Sequence, residues 1–258
     1  MRPDQKEDDM TTLTLAHPDS TVHEATAAAI IRVLEANDVE PEIVVGPKSA
    51  LSEMLKSGEV DLYISAWLPD LDADLLSDGV QPLGHLFTPS ACCCISQEDS
   101  SITSLADVAQ AGPQLSRVIT TPLSLKDQVE HMASTYGLLD AGFSINVLED
   151  EAALAFFSHA LSNNDCVLMP LMQPCFLFHQ GGFRILTDPK AGMGPEMDAR
   201  MLLRPGLSDE LDRDLQDELD ELMLSTKVIN AMDFAMRTEG LTADEAAESW
   251  QRGKLLPR

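Results

Sequence analysis

Cysteines are the most reactive side chains in this sequence. There are five, three of them consecutive: Cys92, Cys93 and Cys94, followed by Cys166 and Cys175. A thiol can attack a carbonyl, bind zinc or close a disulfide, and each use leaves a signature. The odd number speaks against a disulfide framework, and side chains of neighbouring strand residues point to opposite faces. No paired Cys-x-x-Cys spacing suits zinc, so no metal site is expected. The expectation is reduced, buried thiols acting as small hydrophobes. No GxSxG, GxxxxGK[ST], HExxH or GxGxxG occurs. No cofactor is called for, and the chain reads as a binder rather than an enzyme.

Other residues suit binding. Ser20-Thr21-Val22 opens the first helix, where free backbone N–H groups form an anion site. The plain alternative is simple capping by Ser20 or Thr21. His23, one residue into that helix, reads as a solvent-side or structural histidine. Trp67 closes a strand beside Pro69, either as a packed aromatic or as a ring face for a cation. Tyr63, earlier on the same strand face, reads as core. Asp70, Asp72 and Asp74 follow Trp67 as solvated acids, unless one of them, Asp72 foremost, neutralises a cationic ligand. Arg184 and Arg204 are scarce positive charges, suited to clamp a carboxylate or to form surface ion pairs.

The elements that position these residues alternate. A strand is predicted over 12–16 and a turn at His17-Pro18-Asp19-Ser20. A helix follows behind a Thr21/Glu24 capping box, with Ala27, Ile30, Ile31 and Leu34 on one face. Asn37 and Asp38 end it. A strand at 42–45, a helix at 49–56 stopped by Gly58, and a strand at 61–66 complete βαβαβ, the pattern of a parallel sheet. Residues 83–95 are apolar and extended, and 101–108 read as a short capped helix. Strands at 117–121, 144–148 and 166–171 alternate with helices at 126–136 and 152–161, a second α/β unit. Pro170 suggests that the last of these strands ends there. A strand at 198–203 leads to an acidic helix from Ser208, with Leu211, Leu215, Leu219 and Leu222 on one face. Two helices finish the chain, the last opened by a Thr242/Glu245 capping box and carrying Trp250. Two such units suit a ligand held between lobes.

The segment Asp61-Leu62-Tyr63-Ile64-Ser65-Ala66-Trp67-Leu68-Pro69 resembles the strand ending in Trp-Leu-Pro of glycine betaine/choline-type substrate-binding proteins of ABC transporters. Leu168-Met169-Pro170-Leu171-Met172-Gln173-Pro174-Cys175-Phe176 and Thr187-Asp188-Pro189-Lys190 resemble that family's Trp-x-Pro-His and Asp-Pro-Lys segments. Glu245 to Trp250 is similar to its closing helix. The resemblance implies an α/β, type II periplasmic-binding-protein-like fold: two α/β lobes with an interlobe ligand cleft. One lobe would hold 11–93 plus 192–258 and the other 94–191, with crossings near 92–97 and 187–198. It also implies capture of a small osmolyte by lobe closure and its delivery to ABC permease membrane subunits.

By the same resemblance Trp67 takes an aromatic-cage position, and Trp250 a structural one on the closing helix. Met172 stands where a second cage ring is usual, and Cys175 where a histidine is. Phe176 and Phe178 either refill that wall or pack in the core. Thr121 and Ser124 flank the Thr121-Pro122-Leu123-Ser124 turn, where the family has a glycine-containing loop. A methionine offers polarizable contact but no comparable quadrupole.

Composition bounds the rest. Against 43 acidic residues stand 17 basic ones, a net charge of −26 over 258 residues. That balance excludes nucleic acid and anionic lipid as partners. Hydrophobic residues make up 44% and aromatics 5%, so the core is aliphatic. No stretch is long and apolar enough for membrane insertion, and a soluble monomer with a solvated acidic surface is expected. Residues 1–10 read as a disordered polar lead without the apolar region of a signal peptide, and Met10 is an alternative start. The resemblance points to a periplasmic or extracytoplasmic location. The missing signal points to the cytoplasm, where the same fold would serve as a ligand sensor.

Overall fold

The computed structural model describes residues 11–256, and the predicted lead at 1–10 lies outside the described residues. The chain forms two compact units. Unit 1 runs to Phe87 and resumes at Asp198, and unit 2 is Thr88–Met197.

Unit 1 begins with β1 (Thr11–Pro18), α1 (Thr21–Ala36), β2 (Val39–Gly46), α2 (Lys48–Ser57), β3 (Leu62–Leu68) and β4 (Gln81–Phe87). The apolar face of α1 lies over β1, β2 and β3, with Ile30 and Leu34 fully buried. Its N-cap is Ser20, whose Oγ accepts the His23 N–H, so the cap lies one residue before the predicted Thr21. Gly58, in the left-handed conformation at φ +81°, stops α2 as predicted.

Unit 2 contains β5 (Ser90–Ile95), α3 (Leu105–Val108), β6 (Val118–Pro122), α4 (Lys126–Thr135), β7 (Ser144–Leu148), α5 (Asp150–Asn163), β8 (Leu168–Gln173), α6 (Phe176–Gln180) and β9 (Arg184–Ile185). Parallel β6 and β7 form one sheet, and β8-β5-β9 form an antiparallel one. The strand β8 runs through Pro170 to Gln173 rather than ending there. It is an edge strand, so a missing N–H is tolerated. The cysteine triplet shows why alternation matters. Cys93 and Ile95 enter a core with Ile119, Val129 and Leu168, whereas Cys94 enters another with Phe157, Met169 and Cys175. All five cysteines are free thiols, and burial pushes those of Cys93 and Cys94 up. The pairing of β5 with β8 and β9 places Cys92 to Cys94 in unit 2, and the units meet in sequence at Phe87/Thr88 and Met197/Asp198.

The chain re-enters unit 1 through β10 (Asp198–Leu203), followed by α7 (Leu207–Glu210), α8 (Arg213–Glu221), α9 (Thr226–Phe234), a π-helical turn at Ala235–Glu239 and α10 (Ala243–Gln251). The predicted acidic helix is split. Asp212 caps α8 by accepting the Asp214 and Leu215 N–H groups, leaving Leu211 outside the helix. The Thr242/Glu245 capping box on α10 is present. The sheet order is β2-β1-β3-β10-β4, with β1 parallel to β2 and β3, and β10 antiparallel to β3 and β4.

Candidate functional site

The geometry around Trp67 begins with an irregularity in β3. Arg200 of β10 pairs with Ala66, but Leu202 pairs with Tyr63, so Ile64 and Ser65 together stand opposite Met201. This is a β-bulge, a feature that re-aims neighbouring side chains. Ser65 sits at φ +62°, a left-handed conformation unusual for serine. From there its Oγ accepts the Trp67 indole N–H at 3.0 Å. Ala199 of β10 pairs with both Trp67 and Phe87. This small residue lets the two rings meet edge to face, with centroids 6.4 Å apart.

The other neighbour of the indole is His23. Its imidazole stacks on Trp67 at 5.4 Å between centroids and 17° between planes. The Ser20 hydroxyl lies 2.7 Å from its Nδ1. Burial lowers the His23 pKa to about 4, with the nearby His17 acting in the same direction and a hydrogen bond to the Ser65 backbone opposing both. The imidazole is therefore uncharged at neutral pH. From the sequence alone His23 reads as a solvent-side or structural residue. Only its place one turn from Ser20 and Thr21 hinted at more.

Asp72 is 8% exposed. Its Oδ2 accepts the Trp67 N–H at 2.7 Å, while its own N–H donates to the Trp67 carbonyl at 3.1 Å, closing a turn beyond β3. Lys48 lies 3.3 Å from Asp72 and 2.9 Å from Asp74. Burial raises the Asp72 pKa, against the Trp67 N–H and Lys48. Asp72 thus shapes the loop that presents Trp67, and its charge already has a partner. Asp70 is exposed. Tyr63 is fully buried, as expected.

Thr21 is engaged too. Its hydroxyl donates to Asp233 Oδ1 at 2.6 Å and accepts from Arg237 Nε at 2.9 Å. Val22 is half-buried beside it. Arg204 pairs with Asp61 at 2.6 Å and Glu210 at 2.5 Å, and Arg184 donates to the Glu98 carbonyl at 2.9 and 2.6 Å. These two arginines serve local structure.

In unit 2, β6 and β8 pack together, and the turn after β6 lies against β8. Thr121 is fully buried at the end of β6, and its hydroxyl donates to the Pro122 carbonyl. Ser124 is exposed and its N–H donates to Asp150 Oδ1 at 3.0 Å. Met172 is half-buried near the end of β8. Cys175 caps α6 and is buried, with Phe176 and Phe178 half-buried against the same core. Phe178 meets Phe183 edge to face at 5.3 Å. No cluster of three or more His, Cys, Asp or Glu side chains suits a metal among the described residues.

The model of the OpuAC family, described as the substrate binding domain of an ABC-type glycine betaine transport system, matches residues 11–252. No curated protein matches the sequence. Among solved structures, the chain is similar to lactococcal OpuAC, closed and complexed with glycine betaine. The TM-score is 0.75 at 17% identity, with 94% of this chain and 96% of that one covered. It is also similar to the glycine/betaine/L-proline-binding protein ProX from Borrelia burgdorferi, with a TM-score of 0.70 at 19% identity and 93% and 92% coverage. A third similar structure is an ABC-transporter choline binding protein in complex with choline, at TM-score 0.68, 18% identity and 94% and 88% coverage. The shared fold is the type II periplasmic-binding fold, built from two α/β units.

Proposed function

Because the chain belongs to the family of substrate-binding domains of ABC-type glycine betaine transport systems, we propose that it captures a small osmolyte of the glycine betaine/choline class. Delivery is to the permease subunits of an ABC transporter, outside the cytoplasmic membrane. It works by binding, without turnover, and as a monomer. No described helix is long and apolar enough to cross a membrane, which fits a binding component that meets its permease at the surface.

The observation that carries this reading is Trp67. Its indole is pinned at the end of β3 by Ser65, His23 and Phe87. A ring fixed in this way offers its quadrupole to a quaternary ammonium without losing side-chain freedom on binding. In unit 1 the reading assigns Trp67, Ser20, Thr21, Val22 and Asp72 to the site. Trp67 is the contact, the start of α1 the place for a carboxylate, and Asp72 a support. In unit 2 it assigns Met172, Cys175, Phe176, Thr121 and Ser124, at the ends of β6 and β8 and the start of α6.

Isothermal titration with glycine betaine and choline tests this. Losing the indole removes about 0.5–2 kcal/mol of cation–π attraction plus apolar contact. Trp67→Ala is expected to bind about ten-fold more weakly, and Trp67→Phe to retain part of the affinity. Unchanged affinity in a folded Trp67→Ala protein would remove Trp67 from the site.

A further inference from the structure

We propose that His23 is a positioning residue for Trp67, bracing one face of the indole and leaving the ring receptive to a cationic ligand only while the imidazole is uncharged. This rests on the osmolyte reading above. The two ring centroids are 5.4 Å apart. A trimethylammonium group between them would need two van der Waals contacts of about 3.5–4 Å each. Ligand and imidazole must therefore use different parts of the indole, and His23 acts through Trp67.

The brace is built from three directions. The Ser20 hydroxyl meets Nδ1 at 2.7 Å, the Ser65 backbone bonds the ring, and the Ser65 side chain holds the indole N–H at 3.0 Å. One serine at the bulge thus ties both rings. A neutral imidazole satisfies this set, with Nδ1 accepting from Ser20 and the remaining N–H bonding to the Ser65 backbone. An imidazolium would itself take up the indole's cation–π attraction and would repel a quaternary ammonium nearby.

The titratable and charged groups around His23 are few. His17 at the end of β1 disfavours the imidazolium, and Glu24 follows one residue later on α1. Asp72, paired with Lys48, accepts the Trp67 backbone N–H, and Asp233 with Arg237 holds Thr21. Burial keeps His23 neutral down to about pH 4, so binding persists through the range in which a free histidine would charge. Asp72 also carries a carboxylate, so a pH profile of the wild type alone does not identify the group. The substituted protein does.

The experiment measures choline and glycine betaine affinity by titration calorimetry from pH 7 to pH 3, with circular dichroism reporting the fold throughout. Choline carries a fixed charge, so its own ionisation does not enter. Wild-type affinity is expected to fall about two-fold at the His23 midpoint and about ten-fold one pH unit below it. His23→Phe keeps an aromatic brace that cannot ionise, and its profile should lack the part of the acid fall that follows the His23 midpoint. His23→Ala should bind more weakly than wild type at pH 7, where the wild-type imidazole is uncharged. Identical acid profiles for wild type and His23→Phe, or full affinity in His23→Ala, would overturn the proposal. If neither ligand binds the wild type at pH 7, the osmolyte reading fails. The brace is then judged without ligand, from Trp67 fluorescence in a Trp250→Phe background. Acid quenching of the emission that disappears in His23→Phe supports it, and a pH-independent emission overturns it.

Discussion

At Asp188 one carboxylate accepts hydrogen bonds from the Tyr136 hydroxyl, the Gly192 N–H at 2.9 Å and the Met193 N–H at 2.8 Å. The loop closes so tightly that a Cβ at Gly192 would meet Tyr136 Cε2 at 3.0 Å and Met132 Cα at 3.2 Å, so any side chain there would have to push its neighbours aside by a few tenths of an ångström. Burial pushes the Asp188 pKa up, but the bonds from Tyr136, Met193 and Gly192 prevail and hold it below the usual carboxylate range. A depressed pKa means that the stabilisation is present above the unfolded value of about 3.9 and is lost as pH falls through the lower folded value. Asp188→Asn should cost about 1–3 kcal/mol at pH 7. Urea unfolding at pH 7 and near pH 3 checks this, because the gap between variant and wild type must narrow in acid. A gap independent of pH would mean that the charge contributes nothing. Asp72 moves the opposite way, raised by burial. In the sequence Asp72 is one of three acids after Trp67 and Asp188 belongs to the Asp-Pro-Lys segment, and nothing there separates the directions of their shifts.

Among the elements, β3 decides the most. Its bulge at Ile64 and Ser65 places a serine at φ +62°, where a β-branched residue is strongly disfavoured. Ser65→Val should destabilise unit 1 by about 1–3 kcal/mol, whereas Ser65→Gly adopts the same backbone freely and should stay within about 1 kcal/mol of wild type. Both lose the bond to the Trp67 indole N–H, so both should change indole emission and weaken ligand binding. Chemical denaturation with parallel binding measurements separates backbone strain from ring positioning. Equal stability of the two variants would show that Ser65 is unstrained. The same scale accounts for two departures from pattern reading. Ser20 and Asp212 each offer a side-chain oxygen to free helix N–H groups, and a cap of that kind outranks hydrophobic spacing in setting where a helix begins.

At the scale of the whole molecule, a net charge of −26 makes self-repulsion the dominant long-range term. Some basic residues pair locally, such as Lys48 with Asp72 and Asp74, Arg204 with Asp61 and Glu210, and Arg237 with Asp233. Most carboxylates have no cation to balance them, since 43 face 17. Screening shortens the Debye length from about 30 Å at 0.01 M salt to about 3 Å at 1 M. Tm is therefore expected to rise by several degrees when sodium chloride is raised across that range. Scanning calorimetry checks it, and a Tm that falls with salt would show that the ion pairs outweigh the repulsion.

Much of the architecture was legible because it rests on local rules. Alternating apolar runs and turn residues such as Gly58 marked the βαβαβ start, and strand alternation sent Cys93 and Cys94 into different cores. Together with the Trp-Leu-Pro and Asp-Pro-Lys segments, this was enough to point to the family. The surroundings of Trp67 were not legible. His23 lies 44 positions away in sequence and meets the indole only after α1 settles over β3. Ala199, far along the chain, must return as β10 before Trp67 and Phe87 can meet. Spacing along a chain encodes which face of its own element a residue occupies. Which ring stacks on which, and whether a carboxylate is raised or lowered, depends on partners brought together by non-local packing, and only the tertiary structure decides them.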